Sequence, residues 1–178
     1  MFVHPLSLFA GLLVLAGPDA PAVPPVEAPV VAVAPVAAEA PVVAEAPAWS
    51  EMLAAVNEVR AAGATCGDVW HPPAEALVWD GRLAAAAERH SRDMSRNGHF
   101  EHHGTDGRDV GERADGAGYD WRALGENIAR RQVSVEQVMG DWLESPAHCR
   151  QLLSPDYLEL GAAKVGSYWT QMFGAARG

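Results

Sequence analysis

Apolar side chains recur at helical spacing in three stretches of the chain, and the first two precede position 98. Ser50 is suited to cap a helix that runs to about Ala62 and stops at Gly63. A second helix is predicted from Gly81 to Asn97, with Asp80 as its cap. Its apolar positions recur every three or four residues, which predicts a face packed against a core. That face consists of Leu83, Ala87, His90 and Met94.

The last third of the chain changes from a helical period to a strand period. Ser134 opens the capping box Ser-Val-Glu-Gln, ahead of a helix that reaches Trp142 and that Pro146 terminates. Two runs rich in strand formers follow, Gly161–Val165 and Tyr168–Phe173, separated by a Gly-Ser pair typical of a tight hairpin. Helices first and a hairpin last, without strand–helix alternation, predict an α+β domain with helices packed on an antiparallel sheet.

The first 48 residues differ in composition from the rest. Leu6–Ala16 is an apolar run of signal-peptide length, and small residues after it allow cleavage before Val23. Residues 1–22 are therefore predicted to be a signal peptide, which leaves no transmembrane segment after its removal. Residues 23–48 are almost entirely Pro, Ala, Val and Glu, which predicts an extended spacer, with plain disorder as the alternative. The expected location is secreted or in the cell envelope.

Residues 49–178 have the size of one ordinary domain. The chain carries a net charge of -10, and the N-terminal segment contributes four carboxylates and no Lys or Arg, which leaves -6 for the domain. Nucleic acids and anionic membrane surfaces are bound through basic patches. The acidic balance therefore argues against both as partners. Separately, we expect the protein to be a monomer.

Cys66 and Cys149 are the two cysteines of the chain. An even number in an exported protein is most simply one disulfide, which here would close a long loop and stabilise the fold by about 4 kcal/mol in chain-entropy models. Two unpaired buried thiols are the alternative, which an oxidising compartment disfavours. Because Cys149 follows His148 directly, the bond would also fix the loop that carries this histidine.

Seven short motifs occur in the order and spacing of bacterial CAP domains, relatives of the cysteine-rich secretory proteins, venom antigen 5 and plant pathogenesis-related proteins. They are Leu77–Asp80, His90–Met94, Phe100–His102, Gly125–Ile128, Trp142–His148, Glu159–Gly161 and Tyr168–Gly174. Each motif alone is weak, but together they make residues 49–174 resemble this family specifically. The resemblance implies a three-layer α-β-α sandwich with a large open cleft.

In that family two histidines and two glutamates line the cleft, and the resemblance transfers them residue by residue. The first histidine falls on His102, the first glutamate on Glu126 and the second histidine on His148. Glu144 is a candidate for the second glutamate, since relatives differ at this position. Two imidazoles with carboxylate neighbours suit Zn²⁺ or another divalent cation. The resemblance implies open or water-filled coordination positions and hence weak binding.

Simpler structural interpretations stand beside these. Glu126 could equally hold a loop or turn together by accepting backbone N–H bonds. The carboxylates could orient neutral imidazoles without contacting a metal. His90 shares a face with apolar residues, so it is predicted to be a hydrogen-bonded core residue and not a ligand. The indoles of Trp79, Trp142 and Trp169 are predicted to be core anchors.

Three functions remain open from the sequence. The resemblance favours a non-catalytic binding module, whose cleft takes a small molecule, lipid or peptide and holds a metal at His102 and His148. A hydrolase, protease or esterase, would use Ser145 beside Glu144 and His148, or a metal-bound water. No nucleophile elbow or His-Glu-x-x-His helix supports it. The third hypothesis is an envelope interaction module that the spacer presents outward.

Overall fold

The computed structural model describes residues 47–178, so the predicted signal peptide and all but the end of the predicted spacer lie outside the described residues. No helix in this part of the chain is long and apolar enough to cross a bilayer. The elements are, in order, α1 Pro47–Ala62, β1 Ala64–Cys66, β2 Val69–His71, β3 Val78–Trp79, α2 Gly81–Asn97, α3 Val110–Asp115, β4 Trp121–Arg130, α4 Val135–Glu144, α5 Pro146–Leu153, β5 Glu159–Val165 and β6 Tyr168–Ala176.

The central sheet has four strands in the order β3-β5-β6-β4. β5 and β6 pair in antiparallel register from Val165–Tyr168 outward, which confirms the hairpin predicted around the Gly-Ser pair. β4 continues the antiparallel pairing along β6 and forms one edge of the sheet. At the other edge the two-residue β3 joins β5 in parallel, and the long chain between them contains four helices and β4. β1 and β2 form a separate hairpin.

Helices cover both faces of this sheet. Successive side chains of β6 point to opposite faces. Trp169 and Phe173 pack in one core with residues of α1, α4 and α5, whereas Met172 packs in a second core with residues of α2 and α3. The domain is therefore an α-β-α sandwich, which confirms the predicted fold class.

Helix α2 begins and ends where the sequence predicts. The side chain of Asp80 accepts hydrogen bonds from the backbone N–H groups of Arg82 and Leu83. Gly98 ends the helix in the left-handed conformation, with φ 67°, where a residue without Cβ is not strained. All four residues of the predicted apolar face are buried. The helix can therefore pack closely against β5 and β6.

Other boundaries differ from the prediction. Helix α1 begins at Pro47, three residues before Ser50, because proline is accepted in the first helical turn. The capping box at Ser134 is half formed. The Ser134 hydroxyl accepts a hydrogen bond from the Gln137 N–H, but the Gln137 side chain accepts from the N–H of Val133 and not from that of Ser134. Pro146 begins α5 directly after α4 ends. Helix α3 and strand β4 were not predicted.

The predicted disulfide is present and joins β1 to α5. Cys66 and Cys149 are bonded across a sequence separation of 83 residues, and both are buried. They pack in a small core with Leu153. The bond ties the short hairpin to the helix that carries His148, because Cys149 is the next residue along the chain.

Reduction of this disulfide is expected to lower the Tm by roughly 10 °C or more, because the long loop regains its freedom in the unfolded chain. Differential scanning calorimetry with and without dithiothreitol measures the shift. The double variant Cys66→Ala/Cys149→Ala should melt near the reduced protein and should not respond to dithiothreitol. An unchanged Tm after verified reduction would contradict the stabilising role.

Candidate functional site

An open cleft of about 300 Å³ lies beside the carboxyl end of the edge strand β4, against the corner where α4 meets α5. The end of β4 and the following residues form one wall. Ser145, between the two helices, and His148, in the first turn of α5, line the other wall. Further lining residues are Phe100, Ile128, Arg130, Arg131 and Asp141.

Glu126 lies in the middle of β4, opposite Met172 of β6, and not beside the turn or helix start that its neighbours suggested. The residue is only 7% exposed. One oxygen, Oε2, accepts a hydrogen bond from Arg113 Nη2 at 2.6 Å, and the other, Oε1, lies 2.8 Å from His102 Nδ1. The hydrogen bonds of this carboxylate go to side chains, and not to the backbone N–H groups that a turn would offer.

His102 lies in the loop after α2, and about half of its side chain is exposed. Because a carboxylate oxygen accepts, Nδ1 is the donor of this bond, and Nε2 is the ring nitrogen that Glu126 leaves unengaged. Glu126 therefore sets both the tautomer and the orientation of the His102 ring. This is the arrangement in which carboxylates orient metal-binding histidines.

His148 lies in the first turn of α5, and its ring is half-buried at the cleft. Its backbone carbonyl accepts a hydrogen bond from Asn127 Nδ2 at 3.3 Å, which ties α5 to the strand that carries Glu126. Burial, and secondly the electrostatic influence of His102, lower the pKa of His148. The two predicted histidines are thus electrostatic neighbours, and His148 favours the neutral form that binds metals.

Glu144 is the last residue of α4 and is exposed. Within residues 47–178 no hydrogen bond or ion pair joins it to His102, Glu126 or His148. Its role as the second cleft carboxylate stays a prediction. Ser145 lines the same cleft as His148, but no hydrogen bond joins their side chains in the described chain.

Two further residues at Glu126 were missed as members of this site. Arg113, which is 6% exposed, comes from α3, and its Nη1 also donates to the backbone carbonyl of Arg108 at 2.8 Å. Helix α3 opens with a formed capping box between Asp109 and Glu112. The pattern Asp-x-x-Glu ahead of Arg113 is visible in the sequence and could have predicted this helix.

His90 of α2 is the second such residue. It is 1% exposed, as expected of a core residue, and its Nε2 lies 3.7 Å from Glu126 Oε1. That separation is too long for a hydrogen bond, and the backbone of Glu101 is a further polar group that acts on the ring. Burial lowers the pKa of His90, and the attraction of Glu126 offsets this only in part. Burial therefore favours the neutral form of this ring.

Of the residues predicted to hold a divalent cation or line the cleft, His148 lines the cleft described above, whereas His102, Glu126 and Glu144 are not among its lining residues. Within residues 47–178 no group of three or more His, Cys, Asp or Glu side chains is arranged to hold a metal ion. The oriented His102 ring and the neutral His148 ring remain as nitrogen donors. Water or a bound ligand would have to complete the tetrahedral coordination that zinc prefers.

The comparison with protein families identifies the domain. The model of the cysteine-rich secretory protein (CAP) family matches residues 53–173, which is most of the described chain. The chain belongs to the CAP family. Two Bacillus subtilis proteins share the domain. The membrane protein YlbC is 35% identical over 97 residues, covering 54% of this chain and 28% of YlbC. YkwD is 31% identical over 99 residues, covering 54% of this chain and 38% of YkwD. The CAP match thus spans well under half the length of either relative.

Solved structures agree with this CAP fold. An extracellular Bacillus anthracis protein that contains an SCP domain superposes with a TM-score of 0.56 at 30% identity, covering 57% of this chain and 34% of that protein. An outer surface protein of Borrelia burgdorferi gives 0.60 at 18% identity, over 72% of this chain and 92% of that one. A cysteine-rich secretory protein of Staphylococcus aureus gives 0.58 at 19% identity, over 75% and 40%. The last two show the fold alone.

The Glu126–Arg113 pair can be tested by a double-mutant cycle. Glu126→Gln or Arg113→Met alone should lower the free energy of unfolding by about 3–5 kcal/mol, because each leaves the other charge buried and unpaired. The double variant should lose clearly less than the sum of the two. Urea unfolding measures all four proteins.

The exposed pair of Glu88 and Arg92 on α2 is the matched control. Glu88→Gln should cost about 1 kcal/mol or less, because solvent screens an exposed ion pair. Additive losses at Glu126 and Arg113 would show that the two side chains do not depend on one another.

His90 should make the stability depend on pH. Its folded pKa lies below the value near 6.5 of the unfolded chain, so between the two the unfolded state binds more protons. The contribution of the neutral His90 ring to the free energy of unfolding is complete above about pH 6.5. It decreases as the pH falls towards the folded pKa of His90. Tm values at pH 7.5 and 5.0 should therefore differ more for the wild type than for His90→Gln. If the Tm falls equally in the wild type and in His90→Gln, the pH dependence comes from other groups.

Proposed function

We propose that this CAP domain is a non-catalytic binding module outside the cytoplasm, whose cleft takes a small molecule, lipid or peptide and weakly holds a divalent cation such as Zn²⁺ at His102 and His148. The observation that carries the proposal is the hydrogen bond between Glu126 Oε1 and His102 Nδ1. It orients the His102 ring and leaves Nε2 as the nitrogen not engaged by Glu126, with the imidazole of His148 as an electrostatic neighbour. A bound cation would act as a Lewis acid towards an oxygen atom of the ligand.

The location is supported by the chemistry of the domain and by one relative. The Cys66–Cys149 bond persists in oxidising compartments and is rare in the cytosol. The Bacillus anthracis protein, 30% identical over the matched region, is described as extracellular. Both agree with the signal peptide that the sequence predicts.

A binding role fits the cleft better than hydrolysis does. A serine nucleophile needs a base within hydrogen-bonding distance, and an orienting group on that base. Ser145 and His148 line the same cleft, yet in the described chain no hydrogen bond joins them. The oriented histidine is instead His102, whose partner Glu126 is held in turn by Arg113.

Titration with Zn²⁺ in a calorimeter tests the metal part of this proposal. The oxidised wild-type protein should show saturable binding, and the variant His102→Ala/His148→Ala should bind at least about tenfold more weakly, because nitrogen ligands provide most of the affinity of such a site. Glu126→Gln should weaken binding by about 10–100-fold through the loss of ring orientation.

The exposed neighbour His103 supplies the matched control. His103→Ala should bind zinc as the wild type does. Identical heats for the wild type and the double variant would refute metal binding at His102 and His148. Equal loss in His103→Ala would indicate unspecific binding by exposed imidazoles.

A further inference from the structure

The residue that follows β4 has an unusual backbone. Arg131 has φ 91° and is the one residue other than glycine with positive φ among residues 47–178. A side chain with a Cβ atom is disfavoured there, and such conformations cluster at functional sites. They persist only where the surrounding structure holds them in place.

The surroundings of Arg131 do hold it. Its N–H donates to the backbone carbonyl of Ser167 at 2.8 Å. The next carbonyl, that of Gln132, accepts from Trp169 Nε1 at 2.9 Å. The amide of Gln132 donates to Asp141 Oδ2 at 2.6 Å. Residues 131 and 132 are therefore anchored to β6, to the turn before β6 and to α4. Arg131 is thereby fixed at the rim of the cleft.

Arg130 and Arg131 place two adjacent cations on this cleft. The Arg130 guanidinium lies 5.3 Å from the ring centre of Phe100 and 5.9 Å from that of Tyr168, which orients it by cation–π contact. Among the described residues, no carboxylate lies within 4.0 Å of either arginine. Asp141, which shares the cleft, is bonded to Gln132. Two cations without a carboxylate partner, in a domain of charge -6, are available to an anionic ligand.

We infer that Arg131, together with Arg130, binds an oxyanion group of the cleft ligand, a carboxylate or a phosphate. The planar guanidinium matches two oxygens of such a group at once. An apolar part of the ligand would lie against Phe100 and Ile128 of the same cleft. This inference rests on the proposed binding function, but not on its metal.

Calorimetric titration with octanoate, octanol and inorganic phosphate, all in EDTA, tests the inference. Octanoate should bind the wild type more tightly than octanol, which has the same apolar chain and no charge. Arg131→Ala and Arg131→Gly should weaken octanoate binding by about tenfold or more, the usual effect of losing a hydrogen bond to a charged group. Arg131→Lys should keep part of the affinity. Arg150→Ala, an exposed cation of α5 that does not line the cleft, is the control.

A thermal measurement separates the backbone from the side chain. Arg131→Gly should have a higher Tm than Arg131→Ala, because glycine adopts positive φ without strain, although both variants lose the guanidinium. If phosphate binds and its binding depends on Arg131, the anionic group alone is sufficient for binding. If only octanoate binds, contact of its apolar chain with the cleft wall is also required. Both results support the inference.

Several results would overturn it. One is octanoate affinity that is equal in the wild type, Arg131→Ala and Arg131→Gly, and another is octanol affinity as high as that for octanoate. The others are a loss of octanoate affinity in Arg150→Ala as large as in the Arg131 variants, and no binding of any probe. A Tm of Arg131→Gly at or below that of Arg131→Ala would refute the strain. Because all titrations contain EDTA, failure here leaves the zinc titration of His102 and His148 as a separate result.

Discussion

The buried carboxylate of Glu126 is the constraint on which the candidate site depends. An ionised carboxylate on a strand inside the sandwich is costly unless it is paired and hydrogen-bonded. Arg113 supplies the charge and His102 the second hydrogen bond. Helix α3 must therefore pack where its arginine reaches β4, and the loop after α2 must return to the same carboxylate. The site geometry is thus part of the packing of one face of the sheet.

Three consecutive residues of β4 serve both faces, because side chains of a strand alternate. Glu126 points towards α2 and α3 and orients His102. Gly125 and Asn127 point towards α5. A Cβ atom at position 125 would collide with the side-chain ends of Tyr157 and Gln151, so any larger residue there would have to displace them. Asn127 donates to the backbone carbonyl of His148. The Gly-Glu-Asn sequence therefore positions both histidines from one edge strand.

Local rules explain which parts of the fold could be predicted from the sequence. Helix α2 has its own caps and apolar period, and the β5–β6 hairpin has its own turn, so both were predictable without tertiary information. Strand β4 was not. Both of its faces are buried at Glu126 and Asn127, so the polar residues that its partners require hide the alternation of an ordinary strand. The sequence suggested instead that Glu126 could hold a loop or turn together.

The candidate site was predictable only through the family resemblance. That resemblance identified His102, Glu126 and His148 one by one, but it carried no information about what Glu126 contacts. Arg113 and His90 approach Glu126 from separate helices. Tertiary contacts of this kind cannot be inferred from the local spacing of residues in the sequence. The zinc ligands and Glu144 remain predictions, because the described geometry provides two imidazoles and no third metal-ligating side chain beside them.

The two histidines are constrained in complementary ways. For His102 the ring is fixed, because Glu126 holds Nδ1, while the residue itself lies in a loop. For His148 the backbone is fixed, by Asn127 at its carbonyl and by the disulfide at the next residue, while its ring makes no hydrogen bond in the described chain. A site with one oriented and one adjustable donor can accept ligands of different size, but it forgoes the preorganisation that tight metal binding requires. This balance fits an open binding cleft better than a structural metal centre.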